Sequence, residues 1–178
     1  MEPSFLEEGL VILAVDVHYN SAGAYVGAAL CEFWDSHYHR GFSEHCLGVE
    51  EILDYTPGEL YKRELPFLLK IIAPILESYP IINTIVVDGY VDLGEGVPGL
   101  GRHLFHALEE KVEVVGVAKT VYKGAPCVEV LRGTSKKPLL VTSTGDVHKA
   151  ASGVKSMDGP DRLPYLLMKA DHIARGFM

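Results

Sequence analysis

Cysteine is scarce in this chain. Cys31, Cys46 and Cys127 are an odd number and form no CxxC or CxxH spacing. A disulfide framework or a zinc site has nothing to build on, and the three read as reduced, mostly buried, small apolar residues. Long apolar runs are missing too: none exceeds about six residues, where a membrane span needs about 18. The amino terminus Met1-Glu2-Pro3-Ser4, followed by Glu7 and Glu8, lacks a secretory pattern, so the cytoplasm is the expected location. Linkers, repeats and low-complexity tracts are also absent. With 48% hydrophobic content, 178 residues suffice for a full core, and one domain over 1–178 is expected.

Positive charge is thin where the chain begins. Residues 1–110 hold 5 Lys and Arg against 18 Asp and Glu, whereas residues 111–178 hold 11 against 6. The net charge of −8 argues against a uniformly basic nucleic-acid binder. The late excess still offers Lys119, Lys123, Arg132, Lys136, Lys137, Lys149 and Lys155 as a basic surface beside an acidic centre. Charge alone does not separate that layout from a scatter of solvated lysines.

What is present is a set of acids placed for hard-metal chemistry. Asp16 closes the apolar run Leu10–Val15, Asp88 closes Ile85-Val86-Val87, and Glu64 lies at the head of an apolar helical segment. Such runs read as strands buried on both faces, and in parallel α/β sheets ligands gather beyond the carboxyl ends of such strands. Two carboxylates would thus reach one edge without a Lys or Arg in either strand. Charges taken out of water need a partner, and a hard divalent cation is the natural one. Glu64 by itself is equally a first-turn acid favoured by the helix dipole.

Along the chain, strands are expected over 10–17, 22–32 and, more weakly, 43–50, with Asn20-Ser21-Ala22-Gly23 turning the first pair into an antiparallel hairpin. Residues 60–76 follow a helical period. Pro66 either starts this helix or kinks one begun near Glu59. After a strand at 83–88, the glycine-rich segment 94–101 reads as a flexible turn, since its spacing is not that of a dinucleotide loop. A helix over 102–110, strands over 112–117, 127–131 and 138–142, and helices over 146–157 and 164–175 complete the pattern.

The order of several short segments carries a resemblance. Val15-Asp16-Val17-His18-Tyr19, Tyr55-Thr56-Pro57-Gly58, Lys62-Arg63-Glu64-Leu65-Pro66, Val87-Asp88-Gly89, Gly116-Val117-Ala118-Lys119, Pro138-Leu139-Leu140-Val141 and Arg162-Leu163-Pro164 with Ala170-Asp171 follow one another as in endonuclease V. The chain resembles that family from about Leu10 to Arg175. The resemblance implies an α/β, ribonuclease-H-like mixed sheet flanked by helices. It implies Mg²⁺-dependent cleavage, with Mn²⁺ as the alternative ion, of a phosphodiester 3′ to a deaminated base: deoxyinosine in DNA or inosine in RNA. It gives Asp16, Asp88 and Glu64 as metal-holding acids and Lys119 as the catalytic lysine. Tyr55 and Pro57 correspond to a strand-separating wedge, and Gly89 and His148 to further nucleic-acid contacts.

Two segments differ from the family pattern. Asp88-Gly89 leads to Tyr90-Val91-Asp92 where the family usually has Gly-His-Gly after the aspartate, and Gly145 is followed by Asp146 where a histidine is usual. Either His148 fills that place through a two-residue bulge or the place is vacant, while His103 and His106 read as ordinary helix residues. Two other readings stay open: a ribonuclease-H-like nuclease without inosine specificity, and a non-catalytic nucleic-acid-binding module.

Overall fold

The structure, a computed structural model, describes residues 11–37, 40–46 and 52–176. Its frame is a seven-stranded mixed sheet in the order β3-β2-β1-β4-β7-β9-β8. Strands β1 (Ile12–Asn20), β2 (Gly23–Cys31) and β3 (Arg40–Cys46) form an antiparallel meander, with Ser21-Ala22 turning between the first two. The side chain of Asn20 accepts the Ala22 N–H at 2.8 Å and stiffens that turn. β3 begins earlier than the 43–50 run suggested, and 47–50 lie outside the described residues. β4 (Thr84–Asp88) and β7 (Glu113–Ala118) lie parallel to β1, β9 (Leu139–Ser143) runs antiparallel to β7, and β8 (Val128–Val130) runs antiparallel to β9. This is the ribonuclease-H-like mixed arrangement the resemblance implied.

Alternation along the buried strands feeds a core on each face. Leu13, Val15, Ile85, Val87 and Val114 pack under α1 (Leu60–Ser78) and α2 (Leu100–Ala107). Ile12, Ala14, Val86, Val115 and Val117 meet α3 (Val147–Ser156) and α4 (Tyr165–Ala174). The continuous apolar runs of β1 and β4 therefore reflect burial on both faces. No described helix is long and apolar enough to cross a membrane.

Of the two readings of Pro66, the longer helix is the one observed. α1 starts after Glu59 and runs through both Pro66 and Pro74. Each proline removes a backbone donor, yet both are exposed, so the carbonyls they free can meet water while Phe67, Leu68, Ile71, Ile72 and Ile75 stay buried. The glycine-rich segment is more ordered than a flexible turn: β5 (Asp92–Gly94) pairs with β6 (Val97–Pro98), with Gly96 at φ +68° between them.

α4 packs on β2, with its backbone in close approach at Gly27. A Cβ on Gly27 would collide with the carbonyl oxygen of Ala170 and the backbone of Ala174. Gly27→Ala should therefore lift α4 from the sheet and destabilise the fold by about 1–3 kcal/mol. Urea unfolding measures this directly, and an unchanged midpoint would mean that α4 adjusts without strain.

Candidate active site

The parallel ladder between β1 and β4 sets the site. Its last partners are Val15 and Val87, so the next residues on the two strands, Asp16 and Asp88, emerge side by side. β4 stops there, while β1 continues to Asn20 paired with β2 alone. On the other side of β4, Asp88 pairs with Val117, and Lys119 follows just beyond the end of β7. Its Nζ returns to Asp88 Oδ2 at 2.8 Å. Gly116 permits this packing, because a Cβ there would strike the Gly89 carbonyl and the Thr142 hydroxyl.

Glu64 arrives from the first turns of α1. It accepts a hydrogen bond at 3.1 Å from the hydroxyl of Tyr19, which stands on the part of β1 that outruns β4. The Tyr19 ring packs edge-on against Phe67 and carries the Arg63 guanidinium 4.0 Å from its centre. α1 thus places a carboxylate beside the acid pair.

Electrostatics here are those of acids short of positive charge. Burial, then the neighbouring charge of Asp88, pushes the Asp16 carboxyl up to about 7, against the opposing pull of the Val17 N–H and Lys119. Burial also lifts Glu64 to about 7, opposed by the Tyr19 hydrogen bond and assisted by Asp16. Burial alone would pull Lys119 down, but the charge and hydrogen bond of Asp88 outweigh it and hold the ammonium above its ordinary range.

A fourth carboxylate joins these. Asp171, on α4, adds to the negative field at Asp16 and pairs with Arg175 at 2.8 Å. Ala170-Asp171 is one of the segments that carry the family resemblance, but nothing in the residue order places it in the site. The packing of α4 against β1 and β2 brings it there, and local sequence carries no signal of that packing beyond the glycine at position 27.

Asp16, Asp88 and Lys119 stand between two openings. A cavity of about 400 Å³ is also lined by Glu64, Gly89, Tyr55 and Gly58. A smaller one of about 110 Å³ opens toward α4 and includes Asp171 and Arg175. Tyr55 is 58% exposed at the rim of the larger cavity, and Pro57 is exposed beside it. Gly89, at φ +136°, gives the floor a backbone that a side chain would strain. The wall behind is a tyrosine pair: Tyr90 donates to the Thr120 carbonyl at 2.7 Å and accepts the Tyr122 N–H at 3.0 Å.

His148 is not brought to this site. β9 runs antiparallel to β7, so Ser143 lies beside Val115, and Gly145 abuts Glu113 at the start of β7. The first turn of α3, where His148 is exposed, therefore begins at the edge opposite Asp88. Arg132 leaves the expected basic surface as well. It is 6% exposed, and its guanidinium is spent on backbone carbonyls.

The donor set suits a hard divalent cation held by few protein ligands. Among the described residues no cluster of three His, Cys, Asp or Glu is gathered as a ready-made ligand cage. Mg²⁺ is commonly held by one or two carboxylates with water and substrate phosphate completing its shell, which the Asp16–Asp88 pair fits.

A sequence model of the family described as endonuclease V matches residues 2–171. The chain belongs to the endonuclease V family. Membership makes it a nuclease that hydrolyses phosphodiester bonds, within a family whose chemistry is in general metal-dependent. Solved structures agree in fold. Human ENDOV superposes with a TM-score of 0.74 at 20% identity, over 94% of this chain and 84% of that one. Ciona intestinalis endonuclease V, in complex with a 24mer DNA containing an inosine followed by a ribo-adenosine, gives a TM-score of 0.80 at 15% identity, over 96% and 86%. The Streptomyces avermitilis endonuclease V gives 0.71 at 24% identity, over 94% and 81%. No curated protein matches.

For this endonuclease V the raised carboxyls predict an unusual stability profile. A carboxyl whose folded pKa lies above its unfolded one holds its proton more tightly when folded. Its contribution is full below about pH 4 and is lost as pH rises through about 7. Without divalent metal, stability should fall over that window, and Asp16→Asn should be the more stable protein at pH 8, with the advantage gone by pH 4. Urea midpoints in chelator at the two pH values measure this. An Asp16→Asn variant weaker at pH 8 would show that the carboxylate is held by partners rather than repelled.

Proposed function

We propose that this nuclease is a Mg²⁺-dependent endonuclease acting beside a deaminated base, deoxyinosine in DNA or inosine in RNA, with the cut on the 3′ side and a 3′-hydroxyl left. The observation that carries the reading is the meeting of Asp16, Asp88 and Lys119 at the ends of neighbouring strands, on the wall of a cavity roomy enough for an unstacked base. In this reading Asp16 and Asp88 would hold the ion, with Glu64 as the third acid beside them. The ion, when bound, would polarise the phosphate and make a water more acidic. Lys119, whose Nζ stands 2.8 Å from Asp88 Oδ2, would offer its ammonium to the charge that grows on the phosphate and the departing 3′ oxygen. The hydrolysis balances: the water oxygen joins phosphorus, the bond to the 3′ oxygen breaks, and a proton returns to that oxygen.

Base reading falls to the larger cavity. A deaminated purine leaves the stack at lower cost than a properly paired one. Gly89 exposes backbone to it, and Tyr55 and Pro57 stand at the rim where a displaced strand would lie. One observation favours a second reading, a ribonuclease-H-like nuclease without inosine preference: Tyr90, buried and hydrogen-bonded next to Gly89, occupies the segment where the family usually carries Gly-His-Gly.

The test uses four oligonucleotides with Mg²⁺: single-stranded and duplex, each with and without one inosine. Preferred cutting of the inosine pair is expected, and equal cutting of all four would establish the second reading. Asp16→Asn and Asp88→Asn should each remove cleavage while the fold is retained. Tyr55→Ala should slow the duplex inosine substrate more than the single-stranded one, and equal slowing would reject its wedge role.

A further inference from the structure

Lys119 sits where its strand has ended. The β7–β9 ladder stops at Ala118 opposite Leu140, so the next carbonyl, that of Lys119, has no strand partner in that ladder. It is taken up from outside the sheet. Arg162, in the connection between α3 and α4, donates from a single nitrogen, Nη2, to the Lys119 carbonyl and to the Pro138 carbonyl, both at 2.7 Å. One guanidinium nitrogen thereby ties the residue after β7 to the residue before β9. The Nε of Arg162 is buried without a hydrogen-bond partner among the described residues, so these bonds are kept at an unfavourable desolvation cost.

The arm that presents Arg162 is itself clamped. Arg132 is buried and faces backbone oxygens of the same connection: those of Asp161 at 2.9 Å, Arg162 at 3.3 Å, Gly159 at 3.0 Å, and Met157. Gly133, at φ +58°, lets the chain pass so near Pro160 that a Cβ would strike its carbonyl. A planar guanidinium with fixed donors is suited to hold several carbonyls in one arrangement, which a flexible ammonium does not do.

We propose that Arg162 is a positioning residue for Lys119: it fixes the lysine's backbone at the end of β7 so that the ammonium is delivered to Asp88 and the reacting phosphate. The inference rests on the assignment of Lys119 to the cleavage site. A long side chain on an unsecured strand end would spread over many rotamers, and a misplacement near 1 Å can lower a rate by about a hundredfold.

Two variants remove the bridging nitrogen, Arg162→Met and Arg162→Gln, each made alone and with Lys119→Ala. Cleavage is measured on whichever of the four oligonucleotides is cut fastest. We expect kcat to fall between about tenfold and a hundredfold with KM within twofold, and no further loss when Lys119 is already alanine. A second readout needs no turnover. The ¹H–¹³C NMR signal of the lysine methylene next to Nζ, identified by its disappearance in Lys119→Ala, should move to the position of solvated lysines in both variants. An unmoved signal, or losses that add fully to that of Lys119→Ala, would overturn the proposal, as would absence of a cooperative unfolding transition in both variants, which would make Arg162 a residue of the fold. If Lys119→Ala cuts at the full rate, it is the assignment of the lysine that fails.

Discussion

Two carboxylates placed side by side at the end of buried strands repel one another, and this chain is arranged around that repulsion. The parallel pairing of β1 with β4 fixes Asp16 beside Asp88, because Val15 and Val87 are paired immediately before them and the side chains of both strands are packed into a core on each face in that register. The core thus imposes the acid pair and supplies the energy that holds it together. One ammonium, from Lys119, meets this charge, while Glu64 and Asp171 add to it. A site left so negative around the half-buried Asp16 and Glu64 is poised to take up positive charge from solution, and the same burial and crowding account for both raised carboxyls in physical terms.

Much of this was legible from residue order. Runs such as Leu10–Val15 and Ile85–Val87 gave the buried strands and put an acid at the end of each apolar run, because burial on two faces leaves a plain compositional trace. Where the reading fell short, the deciding contact was distant in sequence. Pro66 left the start of α1 open, since whether a proline breaks a helix depends on which side faces water, and both prolines of α1 prove exposed. Asp171 joins the site through the packing of α4 on β1 and β2, which Gly27 permits. Arg132 counted as surface charge until the fold enclosed it among carbonyls. His148 depended on the direction of β9, which a short apolar run does not reveal.

The charge asymmetry along the chain finds a partial explanation in the same terms. Acids gather early because β1, α1 and β4 supply Asp16, Glu64 and Asp88, whereas basic residues follow later because β7 and the α3–α4 connection supply Lys119 and Arg162. Lys149, on the first turn of α3, belongs to the far edge and takes no part in that pairing.

A nuclease that reads a base and cuts a backbone faces a geometrical requirement, since the recognised ring and the severed phosphate are different parts of the polymer and must be held at once. The two openings answer it under the function proposed above. The larger, with Tyr55, Gly58 and Gly89, has the room and exposed backbone that a ring needs, and the smaller, between β4 and α4, has only width enough for a narrow polar group. They share Asp16, Asp88 and Lys119, so a phosphate between them is within reach whichever side the base occupies. Under that reading, changes at Tyr90 or Tyr55 act on the opening that would take the ring, whereas Asp16, Asp88 and Lys119, common to both openings, and Glu64 beside them are tied to the bond that breaks.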